Sequence, residues 1–277
     1  MAEEKKNWMN SINARQVIFA AVFIVTIVPI LFPLNLPLVI SKTTIQYYDT
    51  VQKLKSGNTV IFVWNQGTAQ FGEMGPPGIA QLQQLMDIPG VKVVVISTGA
   101  ESPGLFESNL WPAIDPKGKE YGKDWVNLGY IPGGETAIAA LATDTWSLVK
   151  VDWKGTPISQ LPVMEGFKSG ADIALIVGNQ PSSGEEWQRQ FQNKFKTPIV
   201  WACVSAGYTT ALMFVNSGQL SGILNSLRGG AELELLIKKP GRGVSAMDAM
   251  SNLHLLVLAT IVASNIIYFK NRGGKKK

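Results

Sequence analysis

Apolar residues crowd the two ends of the chain, and short apolar runs alternate with polar stretches between them. Residues 17–40 contain no charged side chain, and residues 253–269 form a second apolar stretch. At 1.5 Å rise per residue, about 20 apolar residues cross a hydrocarbon core of ~30 Å. The first stretch reaches that length, and Met247 and Met250 extend the second toward it. Pro29, Pro33, Pro37 and Asn35 interrupt the lower half of the first stretch, which predicts a helix over residues 12–31 and then an irregular exit at the membrane interface. A cleaved secretory signal calls for a shorter apolar core and a small-residue cleavage site, so the expectation is an uncleaved anchor.

Between the ends, four runs are apolar on consecutive residues: 59–64 (TVIFVW), 91–97 (VKVVVIS), 171–177 (ADIALIV) and 198–204 (PIVWACV). Consecutive rather than alternating burial is the mark of strands covered on both faces. A short strand is expected at 126–128, and helices at 78–87, 103–110, 136–142, 185–195 and 219–236. This alternation predicts an α/β fold, a doubly wound, mostly parallel Rossmann-like sheet over residues 43–237, flanked by one N-terminal and one C-terminal transmembrane helix. The expected organisation is a basic tail (1–16), an anchor (17–40), the sheet domain (43–237), a linker (238–250) holding KKPGRGVSA, a membrane helix (251–269) and a basic tail (270–277). Residues 144–167, with Trp146, Trp153, Pro157 and Pro162, show no clear period and read as a structured excursion, a candidate hairpin at a subunit contact.

Charge sharpens this picture. The net charge is +5, but the two tails hold the excess, and the segment between them carries 17 bases against 18 acids. A nearly neutral domain lacks the clustered bases that nucleic acid requires, so no nucleic-acid partner is expected. The tails suit phospholipid headgroups instead, making the lipid bilayer the expected partner. Eight bases flank the apolar segments on the tail side and six on the domain side (Lys42, Lys53, Lys55, Lys238, Lys239, Arg242). That bias favours both termini in the cytoplasm and the domain outside. Cys203, the only cysteine, lies in an apolar run and reads as a buried small hydrophobe.

Ligands of open α/β sheets sit beyond the carboxyl ends of the strands. Those ends carry amides and small residues, and Gln66, Thr98, Asn179 and Ser205 are the candidate lining of a pocket for a neutral, hydrogen-bonding ligand. Polar, glycine-bearing turns also follow such strands for structural reasons alone. Gly133 and Gly134, running into a helix start, expose N–H groups suited to an anion, yet their spacing fits no nucleotide fingerprint and a structural turn is the simpler reading. The only histidine, His254, lies in the second apolar segment, so no histidine triad or histidine-ligated metal site is expected in the domain. Ser205 follows a strand much as a nucleophile does, but Cys203 stands where the elbow motif has glycine. No catalytic residue, cofactor or metal is assigned, and a serine hydrolase is the weakest of three functional readings. In the second apolar segment His254, Ala259, Ala263 and Asn265 are candidates for helix packing, the alanines allowing close approach, although His254 also suits an interfacial position.

Several stretches carry a resemblance: Trp125 to Tyr130 (WVNLGY) with Pro132 to Glu135 (PGGE), Lys154 to Pro157 (KGTP) with Leu161-Pro162, Ser217 to Leu224 (SGQLSGIL), Arg228 to Glu232 (RGGAE), and Met247 to Ala249 (MDA). Together they resemble a family of uncharacterised prokaryotic membrane proteins built as helix, Rossmann-like domain and helix. The likeness covers nearly the whole chain and implies the architecture and a cell-membrane location, without an activity. Residues 205–210 depart from the family's form, so a site there transfers poorly.

The leading functional expectation is a non-enzymatic subunit of a membrane-bound assembly, a homo-oligomer or a partner of other membrane subunits. Tryptophans in irregular stretches (Trp111, Trp125, Trp146, Trp153) are candidate contact residues. The alternative is a tethered module that binds or senses a small molecule in the strand-end crevice.

Overall fold

The computed structural model describes residues 14–273. Residues 38–243 form one compact unit, and the described parts of 1–37 and 244–277 form another.

The smaller unit is built on two apolar helices. Helix α1 (Ala14–Leu31) contains Pro29 and stops where the prolines thicken. Helix α11 (Arg242–Gly273) has 32 residues, about 48 Å of helix at 1.5 Å per residue. Its stretch Arg242–Lys270 is long and apolar enough to cross a membrane, and the hydrophobic window within it is 0% buried; α1 contributes a shorter apolar stretch, Arg15–Leu31. The helix starts well before residue 251, because residues 242–250 include neither proline nor an N-terminal break and Pro240 lies just ahead of the start. The segment after α1 is tied down by Asp248, which is 2% exposed. Its carboxylate accepts the N–H groups of Leu34, Asn35 and Leu36 at 2.8, 2.9 and 3.0 Å. Asn35 sits at φ 51°, in the left-handed region, and that turn curls successive N–H groups around one anion.

The larger unit opens with α2 (Lys42–Gln52). A six-stranded parallel sheet follows, with β1 (Thr59–Trp64), β2 (Lys92–Ser97), β3 (Trp125–Tyr130), β4 (Ile173–Asn179), β5 (Ile199–Cys203) and β6 (Gly222–Asn225). The spatial order is β3-β2-β1-β4-β5-β6, reversing between β1 and β4. Two cores form because strand side chains alternate between faces. Val60, Phe62, Trp64, Val93, Val95 and Leu175 meet α2, α3 (Phe71–Asp87) and α10 (Ser226–Leu236) on one face. Ile61, Val63, Val94, Ile96, Trp201 and Ile223 meet α5 (Gly134–Thr143), α7 (Glu185–Trp187) and α9 (Ser205–Asn216) on the other.

Where the sequence suggests one helix over 219–236, the chain makes β6 and then α10. The strand is four residues long, with Ile223 and Leu224 on opposite faces, too short to stand out against a helical period. Glycines allow the close packing around it. A Cβ on Gly222 would lie 2.8 Å from the Gln46 backbone carbon and nearer still to Tyr47; one on Gly229 would lie 2.7 Å from the Leu224 carbon; one on Gly230 would lie 2.7 Å from the Pro77 nitrogen. Two buried glutamates on α10 then hold both ends of the domain. Glu232 accepts Ser41 N and Oγ (3.1 and 2.6 Å), Thr44 Oγ1 (2.6 Å) and Arg228 Nε (2.8 Å). Glu234 accepts Gly241 N and Gly243 N, both at 2.9 Å.

The 144–167 excursion folds as α6 (Thr145–Leu148) and a tight antiparallel bridge between Val151 and Pro157. Buried Asp152 organises it, accepting Lys154 N, Thr156 N and the Tyr121 hydroxyl at 2.9, 2.7 and 2.7 Å. Of the tryptophans marked as contact residues, Trp125 is buried and packs on Trp111, whose ring centroid is 3.7 Å away. Half-buried Trp146 donates to Phe167 O, and Trp153 is 46% exposed.

Gly222→Ala should therefore lose about 2–3 kcal/mol, because the clash is with helix backbone that has no rotamer to yield. Gly104→Ala, in α4 (Ser102–Leu105) with open space around it, should be neutral or mildly stabilising. Thermal melts of the two variants in the same detergent check the contrast.

Candidate functional site

The reversal between β1 and β4 places the crevice at Asn65 and Asn179, where Asn65 N donates to Asn179 O at 2.9 Å. A chain of amides grows from this point in two directions. Beneath α3, Gln66 Nε2 donates to Asn179 Oδ1 (2.7 Å), Asn179 Nδ2 donates to Gln81 Oε1 (2.8 Å) and Met74 O (3.2 Å), and Gln81 Nε2 donates to Gly178 O (3.0 Å). Gln66, Asn179 and Gln81 are all fully buried. Pro76 and Pro77 interrupt the N–H ladder of α3, and Asn179 bonds a carbonyl of the same turn. Toward the mouth, Asn65 Nδ2 donates to Thr98 Oγ1 (2.7 Å) and Gln180 Oε1 (3.1 Å), while Thr98 N returns a bond to Asn65 Oδ1 (3.0 Å).

A second feature concerns charge. Helix N-termini hold anions because their free N–H groups and dipoles converge there. At the carboxyl ends of these six strands, each helix start already has a carboxylate of the chain itself. Glu101 accepts Thr68 N and Oγ1 (3.1 and 3.0 Å) ahead of α3 and is the residue before α4; those two bonds hold its carboxyl below the usual range. Glu135 lies in the first turn of α5, and Glu185 and Glu186 in that of α7. Glu73 reaches across from α3 to Ser205 N (3.1 Å) at the start of α9 and to the Ser226 hydroxyl (2.5 Å) at the start of α10. A phosphate approaching this rim meets a carboxylate near each N-terminus, the one at α5 already paired with Arg189.

The candidate residues therefore have different fates. Gln66 and Asn179 pair with each other below the crevice, and Thr98 is half-buried at its mouth. Ser205 is exposed and its amide is taken by Glu73. Gly133 (φ 113°) and Gly134 (φ 54°) form an exposed left-handed turn whose helix carries Glu135, held by Arg189 Nε and Nη2 at 2.9 and 2.7 Å. These glycines are not brought together with the amides by any hydrogen bond, and their φ values give them a sufficient conformational reason. His254, Ala259, Ala263 and Asn265 are exposed along α11. No group of three or more metal-ligating side chains occurs among the described residues. Sequence reasoning missed Asn65, Gln81 and Glu73. The first was recoverable, since residue 66 shares the parity of Phe62 and Trp64 and so falls under α3, whereas 65 falls away from it.

A cavity of about 470 Å³ lies at the opposite, amino-terminal end of the sheet, lined by residues including Gln46, Asp49, Lys53, Asn58 and Ser221. The Cys203 thiol is fully buried, and desolvation, aided by the nearby charge of Glu73, pushes it up to about 12. Compared with protein-family models, characterised proteins and solved structures, the chain matches none.

Three outcomes follow from this geometry. Glu73→Ala should lower the melting temperature, at a cost of about 1 kcal/mol for a lost helix cap. Inorganic phosphate should recover part of that loss in the variant and do nothing for the parent chain. The Arg189 and Gln190 bonds hold Glu135 at about 2, below the usual 4.5, so its stabilisation is complete above pH 4.5 and lost as pH falls through 2; Glu135→Gln should flatten that part of the acid melting curve. Cys203 should resist maleimide at pH 7.5 in the folded protein and react only after unfolding.

Proposed function

We propose that the chain is a non-enzymatic subunit of a membrane-bound assembly, in which a Rossmann-like α/β domain is tethered by α1 and α11 at the surface of a prokaryotic cell membrane. The single observation that carries this reading is the apolar surface of the two helices. Phe19, Phe23, Leu31, Leu255, Ile266 and Phe269 are each 60% or more exposed, on helices whose exposed positions are mostly apolar. A continuous surface of that kind requires lipid or protein around it. Both termini lie in the cytoplasm and the domain outside, as the bias of bases toward the tails favours. Carboxylates near the helix N-termini, amides paired with one another and a serine without a neighbouring histidine support a role in contact rather than catalysis. The assembly is of like copies or of other membrane subunits.

One observation favours a second reading, a tethered module for a neutral polar ligand. Gln66 Oε1 and Ser97 Oγ, at the carboxyl ends of β1 and β2, are buried without a hydrogen-bond partner. Burying such groups unpaired costs about 1–3 kcal/mol each, which a bonded ligand would offset.

After gentle lysis the full chain should stay with the membrane fraction until detergent is added, and in mild detergent its mass should exceed that of one 30.1 kDa chain. A soluble chain would sink the membrane reading, and a monomer with no copurifying subunit would sink the assembly reading. A polar metabolite that raises the melting temperature of the detergent-solubilised chain, and fails to do so in Gln66→Leu, would favour the second reading.

A further inference from the structure

Helix α9 is the least buried of the helices against the sheet, with only Ala211 fully enclosed. Its inner side packs Tyr208, Leu212, Phe214 and Val215 partly against the core. Its outer side presents Ala206, Thr209, Met213 and Asn216, at helical spacing, with Met213 60% exposed. The chain has no charged residue from 197 to 227, although α9 is a surface element within that span. By contrast, the helical segment from α7 onward on the same face carries Glu185, Glu186, Arg189 and Lys194. A solvated helix normally has charges on its outer face, so an uncharged one needs another neighbour.

We infer that the outer face of α9 rests on the lipid headgroup layer as a third membrane contact of the domain. This rests on the proposed tethering by α1 and α11. Two observations select lipid over a second copy of the chain. First, the Tyr208 hydroxyl and Thr43 Oγ1 are 3.2 Å apart, and Thr43 lies in the first turn of α2. The chain from Pro37, in the exit segment that follows α1, to Ser41 spans at most about 14 Å, so α9 starts within short chain reach of that exit segment. Second, twelve residues of helix give a strip about 18 Å long and 10 Å wide, near 200 Å², against roughly 800 Å² per partner in a stable protein interface. Such a strip cannot hold a dimer by itself. A tether raises the local concentration of surface enough for a weak contact to persist. Thr209 and Met213, both exposed, suit the headgroup level, where a hydroxyl stays wet while an apolar side chain is partly covered. Without a basic residue on α9, the contact needs no anionic lipid and is insensitive to salt.

The full chain, reconstituted in vesicles of phosphatidylcholine alone, would carry one fluorescent thiol probe at a time, at Met213→Cys, Lys55→Cys or Ile261→Cys, with native Cys203 silent. Nitroxide lipids labelled near the headgroup should quench the probe at 213 at least about twofold more than that at 55, unchanged in high salt, while lipids labelled deep in the acyl chain quench the probe at 261. Equal quenching at 213 and 55, with 261 quenched, overturns the α9 contact and leaves the anchors standing. A probe at 261 untouched by lipid overturns the tethering and the contact with it. Efficient cross-linking of two 213 thiols by a short bismaleimide, without lipid quenching, overturns the contact in favour of a second copy.

Discussion

Three buried carboxylates hold the points where this chain enters and leaves its sheet domain. Asp248 gathers three backbone N–H groups of the segment after α1. Glu232 gathers the cap of α2, and Glu234 the turn before α11. Each charge is desolvated, which is costly, and each recovers that cost through several short bonds to groups that need acceptors. Apart from the Arg228 guanidinium on Glu232, their partners are backbone N–H or hydroxyl groups at helix starts and in irregular segments, so an apolar replacement would leave several donors unmet at once. The Arg228-to-Glu232 stretch shows how densely this is arranged, with two glycines admitting a strand and a helix and the glutamate fastening a third element.

The same residue class has the opposite effect at the carboxyl ends of the strands. A 3-2-1-4-5-6 parallel sheet offers helix N-termini at the carboxyl ends of its strands, the arrangement that elsewhere receives phosphates. Here Glu73, Glu101, Glu135, Glu185 and Glu186 stand in that position. The topology is kept and its anion preference is cancelled from within. Fold alone is thus no guide to ligand here, and the residues at the rim decide.

Much of the architecture was legible in the sequence for a definite reason. A strand covered on both faces is apolar at every position, so TVIFVW, VKVVVIS, ADIALIV and PIVWACV stand out without alignment. Helix α1 ends at Leu31, beside the prolines that mark its end in the sequence. Strand β6 was hidden because four residues are fewer than any period needs. The start of α11 was hidden because Pro and Gly at 240–241 read as a linker while the residues just beyond are helical. The candidate site was legible in place but not in person. Amides at strand ends were visible, yet their pairing depends on Gln81, and the charge at α9 comes from Glu73, 132 residues away in sequence. Such partners leave no local trace.

The two margins of the sheet have a further consequence. On its outer side β3 is bonded by a neighbouring loop, since Trp153 N donates to Asn127 O at 2.9 Å and Gly122 N to Trp125 O at 2.7 Å. At the other margin β6 is four residues long and α2 is pressed against it so closely that Gly222 has no room for a Cβ. Loop hydrogen bonds occupy part of the β3 border and the brevity of β6 leaves few free amides and carbonyls at the other, which disfavours sheet extension from one molecule into the next and fibril growth by that route. Molecules with such blunted flanks can collide often without polymerising.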